Sequence, residues 1–328
     1  MSGAGNDTAA PDVGTPEVDV AGVANLIARA SAGDRRALAR LVTYVESGGR
    51  LARAVTVALH PLSGAATVVG ITGAPGAGKS TLTDGLVGAI RADDLRVGVL
   101  AVDPTSPFTG GAILGDRVRM QDRATDSGVY IRSMATRGHL GGLALATPQA
   151  ARVLDALGYP WVLVETVGVG QVEVEIAGHA DTTVVVLNPG WGDGVQAAKA
   201  GLMEIADVFV VNKADRSGTR ETVRDVEGML DLAGERAWRP PVLETVATDG
   251  TGVDALWSAI RDHRAHLDAS ATLAARRHTR TAAEIRALVL EELGARVLER
   301  CAGVQFDALV AAVVARTQDP YAAADALV

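Results

Sequence analysis

Cysteine is almost absent from this chain: Cys301 is the single one in 328 residues. One thiol cannot close an internal disulfide, and with no second cysteine nearby there is no start for a zinc or iron-sulfur site. Positive charge is in deficit as well, with a formal charge of -8 and a pI near 5.3. Such a surface is not built to release counterions from nucleic acid, so no nucleic-acid partner is expected. Long apolar runs are also missing. A stretch such as "DTTVVVLNP" has the length of a strand and falls well short of a bilayer crossing, so no membrane partner is expected either. The first residues, "MSGAGNDTAAPDVGTPEVDV", have neither the basic start nor the apolar middle of a signal peptide. Together these absences point to a reducing, cytoplasmic setting, with residues 1–17 read as a disordered tail.

What is present is ample material for a core, since 48% of residues are hydrophobic. Over residues 18–64 the pattern is helical. Val23, Leu26, Ile27 and Ala30 fall at i, i+3, i+4 and i+7; Leu38, Leu41, Val42 and Val45 repeat the spacing, and Asp34 is a candidate N-cap between them. Over residues 65–268, strand-like runs alternate with helical stretches: "TVVGIT", "RVGVLAV", "VYIRSM", "WVLVET", "TTVVVLN", "VFVVN" and "PVLETV". That rhythm predicts an α/β domain with a mostly parallel sheet and helices on both faces, whose ligands bind beyond the carboxyl ends of the strands. Residues 269–328 return to helix. Thr281 and Glu284 have capping-box spacing, and Ile285, Leu288, Val289 and Leu293 form an apolar stripe. This segment has little core of its own, so it packs either on the main domain or on a second copy of the chain.

The chemistry gathers at three strand ends. After "TVVGIT" comes a loop of Gly73, Ala74, Pro75, Gly76, Ala77, Gly78, Lys79, Ser80 and Thr81, which matches G-x-x-x-x-G-K-[ST] between a strand and a helix. Its glycines let backbone N–H groups turn in around phosphate oxygens. Lys79 can neutralise the β and γ phosphates, the Ser80 hydroxyl is placed for Mg²⁺, and the helix adds its positive end. A nucleoside triphosphate is therefore expected, and "VVNKAD" indicates which base. Asp215 can accept from guanine N1–H and the N2 amine together, whereas adenine offers neither donor. At about 1.5–3 kcal/mol for each such bond, the preference for guanine amounts to a few orders of magnitude. Lys213 can lay its stem along the base, and Asn212 can tie this loop to the phosphate loop. Finally, in "WVLVETVGVGQ" Glu165 ends a strand with Gly168 at E-x-x-G spacing, so the carboxylate can hold a metal-bound water and the glycine amide can meet the γ-phosphate. Asp103, at the end of "RVGVLAV", and Asp116, in "GGAILGDRVRM", are further candidates near the metal, although an aspartate before Pro104 also has a purely local turn role.

These residues resemble the methylmalonyl-CoA mutase-associated GTPases, the MeaB/ArgK proteins. The strings that carry the resemblance are "GITGAPGAGKSTL", "VLAVDPTSPFTGGAILGDRVRM", "RGHLGGLA", "ETVGVGQVE" and "NKAD". It implies a P-loop GTPase domain with helical extensions at both ends, and a homodimer made through the C-terminal arm. The implied activity is that of a GTP-hydrolysing chaperone which gates cofactor loading into methylmalonyl-CoA mutase or a related cobalamin-dependent mutase and protects it. By position, Asp103, Asp116 and Glu165 would surround Mg²⁺ together with Ser80. Lys79, Asp116, Glu165 and Gly168 would carry the catalysis, and residues 189–199 would form a mobile loop facing the mutase. Two places depart from the pattern: Trp191 and Gly194 stand where a small and an acidic residue are expected, and Val246 stands where the guanine-contacting loop usually has serine. Since backbone amides there, including that of Ala247, make the main contacts to the base, the second departure has a mild consequence.

Val169 follows Gly168 at the position where many signalling G proteins have a water-orienting glutamine. Slow hydrolysis in the absence of a partner is therefore expected, with a partner that orders Asp116, Arg137 or Lys199 able to accelerate it. Three other functions compete. A transport-associated kinase would pass the γ-phosphoryl group to a protein. A metal-insertion GTPase would need a storage tract, whereas the six histidines, among them His60, His139 and His179, are scattered. A targeting GTPase would carry a methionine-rich helical domain, and the chain has five methionines.

Overall fold

The computed structural model describes residues 20–103, 123, 125–135, 142–166, 178–190, 196–234 and 236–328. Three helices open the chain: α1 (Val20–Ser31), α2 (Arg35–Ser47) and α3 (Gly49–Leu59). Asp34 does cap α2, its carboxylate accepting from the Arg36 and Ala37 amides at 2.9 and 3.2 Å. Seven strands follow: β1 (Thr67–Gly73), β2 (Val97–Asp103), β3 (Val129–Ala135), β4 (Trp161–Thr166), β5 (Thr182–Leu187), β6 (Val208–Asn212) and β7 (Val242–Thr245). They lie in the order β3-β2-β4-β1-β5-β6-β7, and every pairing is parallel. Each of the seven runs singled out in the sequence becomes a strand, with ends shifted by about a residue.

All residues of β5 and β6 are buried, which is why they read as unbroken apolar runs rather than alternating ones. One face of the sheet packs on α4 (Lys79–Ala92) and α8 (Val253–Ala269), with Val69, Ile71, Leu163, Val184, Leu86 and Ile260 in that core. The other face is shared. Leu100, Val102, Val162 and Val164 meet α1–α3 and α5 (Gly142–Ala156). Val185, Leu187 and Phe209 meet α6 (Gln196–Ile205) and α7 (Thr219–Leu232). The N-terminal helices thus complete the core on the β2–β4 side.

The chain ends in α9 (Thr272–Arg300), α10 (Val304–Val314) and α11 (Pro320–Asp325). The helix does not start at the Thr281–Glu284 spacing. It starts at Thr272, behind Ala271 in a left-handed conformation (φ 54°), so Thr281 lies inside it, and Glu284 forms an ion pair with Arg152 of α5 at 2.8 Å instead of capping. The first turns of α9 grip the amino end of the sheet. Asp181, just before β5, is fully buried and meets Arg277 and Arg280 at 3.1 and 3.0 Å. Asp207, just before β6, meets Arg276 at 2.9 Å and the buried His263 of α8 at 3.2 Å. Arg277 also donates to the Ala66 carbonyl ahead of β1 at 2.8 Å. Burial alone would raise the Asp181 carboxyl, but the charge of Arg280, the hydrogen bonds of Arg277 and the Val68 amide outweigh it and hold it below the usual carboxylate range. Asp207 behaves the same way, burial being overcome by its bonds to His263 and Arg276. Beyond this anchor, Ile285, Leu288, Val289 and Leu293 of α9 are 56%, 38%, 51% and 50% exposed, so the apolar stripe is left largely uncovered among the described residues.

Among the described residues, no helix is long and apolar enough to cross a membrane.

Candidate functional site

The glycine-rich loop begins at the centre of the sheet, where β1 lies between β4 and β5. Two glycines are dictated by their surroundings. Gly73 has φ 136°, and a Cβ there would overlap the Val186 carbonyl of β5; Gly78 has φ 87°, and a Cβ there would overlap the Asn212 amide nitrogen. Side chains then hold the loop's carbonyls. Lys79 Nζ donates to the Gly73 and Ala74 oxygens at 2.7 and 3.0 Å. Lys213 Nζ donates to the Gly76 oxygen at 2.6 Å and Asn212 Nδ2 to the Ala77 oxygen at 2.8 Å. Carbonyl oxygens are the loop groups that would repel a phosphate, and four of them are occupied by cationic or amide donors. The loop runs directly into α4, whose first turn has no side-chain cap, so its N–H groups and the positive end of the helix face the same place.

At the end of β4, Glu165 is 3% exposed and its Oε1 accepts from the Ser80 hydroxyl at 2.6 Å. A carboxylate and a hydroxyl in contact are hard oxygen donors of the kind that suit Mg²⁺, so these two residues fit the ion expected from the sequence. Asp103 ends β2 one residue beyond the Val102–Thr166 pairing. Its side chain lies outside the described residues, as do Asp116, Arg137, Gly168, Val169, Trp191, Gly194 and the Lys199 side chain. Among the described residues, no three His, Cys, Asp or Glu side chains gather as a metal site.

The third strand end supplies the base-facing candidates. Asn212 does link the two loops, and its other end is held as well: Oδ1 accepts from the Thr245 hydroxyl and from the Ala247 amide, both at 3.1 Å. Lys213 has φ 62°, a left-handed conformation that costs a non-glycine residue about 1–2 kcal/mol. Its contact with Gly76 and the bond from the Ala214 amide to the Thr245 carbonyl at 3.0 Å hold the chain in this turn. Asp215 is exposed beside them. The Val246 amide is used within its own turn, donating to the Thr251 carbonyl at 3.0 Å. The structure therefore brings residues 73–80 together with Glu165 on one side and with Asn212, Lys213 and Ala247 on the other.

Sequence reasoning missed three hydroxyls around these segments. Thr245 orients Asn212. Thr72, immediately before Gly73, accepts at 3.1 Å from Thr166, immediately after Glu165. The available signal was a threonine at or next to the end of a strand, beside a motif residue.

The chain is similar to several known proteins. The family model for the methylmalonyl Co-A mutase-associated GTPase MeaB matches residues 38–302. A putative GTPase of Pyrococcus horikoshii is 51% identical over 304 residues, which takes in 92% of this chain and 95% of the relative. The GTPase ArgK of Escherichia coli is 37% identical over 285 residues, 84% of this chain and 86% of the relative. A crystal structure of a LAO/AO transport system kinase superposes with a TM-score of 0.70 at 29% identity, covering 95% of this chain and 98% of that one.

Proposed function

The chain belongs to the MeaB family of methylmalonyl-CoA mutase-associated GTPases, and from that premise we propose that it is a GTP-hydrolysing chaperone of an adenosylcobalamin-dependent acyl-CoA mutase. Its nucleotide state gates cofactor loading into the mutase and protects the mutase from inactivation. The client is methylmalonyl-CoA mutase or a close relative of it.

The observation that carries this reading is the position of Asn212. One amide joins the phosphate loop at Ala77 to Thr245 and Ala247, which supports reading the phosphate cradle and the nearby Asp215 as one guanine-nucleotide site. Residues 73–81 cradle the phosphates, Lys79 neutralises the developing charge between β and γ, and Asn212, Lys213, Asp215 and the 246–247 turn receive the base. Ser80 and Glu165, with Asp103 and Asp116, are the residues that would hold Mg²⁺, which when bound supplies charge neutralisation at the β and γ phosphates. Gly168 senses the γ-phosphate. Since an apolar Val169 follows it, hydrolysis is slow until the mutase orders the surrounding loops. The exposed stripe of α9 supports a homodimer through the C-terminal arm. A single-chain mass in sedimentation at micromolar concentration would contradict that part.

The kinase named in one structural relative offers a second outcome for the same site, so the decisive experiment follows the γ-phosphate. Purified protein is given labelled GTP with and without the mutase. The proposal expects free phosphate, released faster when the mutase is present. A labelled protein acceptor would favour the kinase, and a rate indifferent to the mutase would contradict the gating role.

A further inference from the structure

The last two residues of β4 hold the two ends of the phosphate loop from opposite faces of the sheet. Glu165 points toward α4 and meets Ser80, where the loop finishes. Thr166 points to the other face and donates to Thr72, where the loop begins, at 3.1 Å. Thr72 is 0% exposed and Thr166 1%. The strands pair from Thr67–Trp161 up to Ile71–Glu165, so the two threonines face each other one step beyond the last β1–β4 pairing, where Thr72 is still paired with Val185 of β5 and Thr166 with Val102 of β2.

Among the described residues, nothing in the packing requires hydroxyls there. The same face of the sheet is filled around them by apolar residues, including Val164 of β4 and Val185, the partner of Thr72 on β5. Valine has the shape of threonine, and a Val–Val pair would leave no buried polar group to satisfy. Two hydroxyls joined by a hydrogen bond instead add direction: the distance and angle between the strand ends are fixed by that bond rather than by contact alone. What leaves β1 here is the phosphate loop, and what leaves β4 is the segment with Gly168.

We propose that Thr72 and Thr166 are positioning residues for GTP hydrolysis, a hydroxyl pair that sets where the chain after β4 emerges relative to the phosphate loop. The inference rests on the GTPase reading of the site. The pair does not touch the nucleotide, so its effect falls on the rate of the hydrolytic step and leaves nucleotide affinity almost unchanged.

The test compares Thr72→Val, Thr166→Val, the double valine variant and Thr166→Ser in the full chain. Single-turnover GTP hydrolysis, GDP affinity by calorimetry and thermal melting are measured for each. The double variant, which leaves no unpaired hydroxyl, is expected to melt close to the parent and to bind GDP within about threefold of it, while hydrolysing GTP about fivefold more slowly, the fold-change of one lost hydrogen bond. Thr166→Ser keeps the donor and is expected to restore the parental rate. A double variant that hydrolyses at the parental rate overturns the proposal, as does one whose rate falls only in step with its GDP affinity. A parent that binds GDP and never releases phosphate would instead overturn the hydrolytic reading itself, and this inference with it.

Discussion

The two ends of the same strands are polar in opposite ways. At the carboxyl end of β1, β4 and β6, the polar groups are lysines, an asparagine, a serine and a glutamate arranged around a loop, with Lys213 in a left-handed turn and Asp215 exposed beside it. At the amino end of β1, β5 and β6, two buried aspartates are matched by three arginines and a histidine, and the charges are compensated within the protein. One end is arranged around a glycine-rich loop whose carbonyls its side chains hold; the other closes on itself as matched charges. The difference teaches that buried charge alone does not mark a functional site. What separates them is whether the groups converge on each other or on the backbone of a glycine-rich loop.

If that contrast is right, substitutions at the two ends have separable effects: stability at the amino end, ligand affinity at the carboxyl end. The largest effect is expected from Asp181→Ala. It leaves Arg277 and Arg280 without their buried counter-charge and is expected to cost about 3–5 kcal/mol in denaturant unfolding. GDP affinity of the folded protein should stay within about twofold, and a large loss of affinity would mean that the two ends are not independent.

The pH dependence of stability comes next. The Asp181 and Asp207 carboxyls titrate lower in the folded state than their ordinary value of 3.8, so below about pH 3.8 the unfolded chain takes up protons first. Their contribution is fully present above that pH and is lost as the pH falls toward the lowered folded values. An Asp181→Asn variant should show a flatter fall in stability in that window than the parent; an identical fall would show that Asp181 does not contribute to it.

The smallest effect belongs to Thr245→Val. It removes one of the two donors holding Asn212 Oδ1 and leaves the strand's packing shape intact. GDP should bind about fivefold more weakly, the size of one hydrogen bond, with melting close to the parent. A change in melting with no change in affinity would put Thr245 with the framework instead of the ligand end.

Legibility in the sequence follows the same division. The carboxyl end was readable because its motifs are built from consecutive residues at strand ends, so Gly73 to Ser80 and Asn212 to Asp215 appear as contiguous strings. The strands were readable because burial on both faces leaves continuous runs such as β5 and β6. The amino-end network joins residues from Ala66 to Arg280, and Arg276, Arg277 and Arg280 look in sequence like the solvated face of a helix. Thr281 and Glu284 had the spacing of a cap, yet a cap also requires the capping residue's own backbone to be non-helical, a condition that Ala271 meets and Thr281, inside α9, does not. Thr72, Thr166 and Thr245 escaped because threonine is an ordinary strand residue, and only their partners distinguish them.

The central claim is that one site holds a polyphosphate and recognises guanine through the chain that Asn212 joins to the loop. Titration calorimetry of the full chain with GDP and with ADP, in magnesium, tests it most directly. The account predicts a preference for GDP of at least about a hundredfold that Asp215→Ala largely abolishes. Equal affinity for the two nucleotides in the parent protein would contradict it.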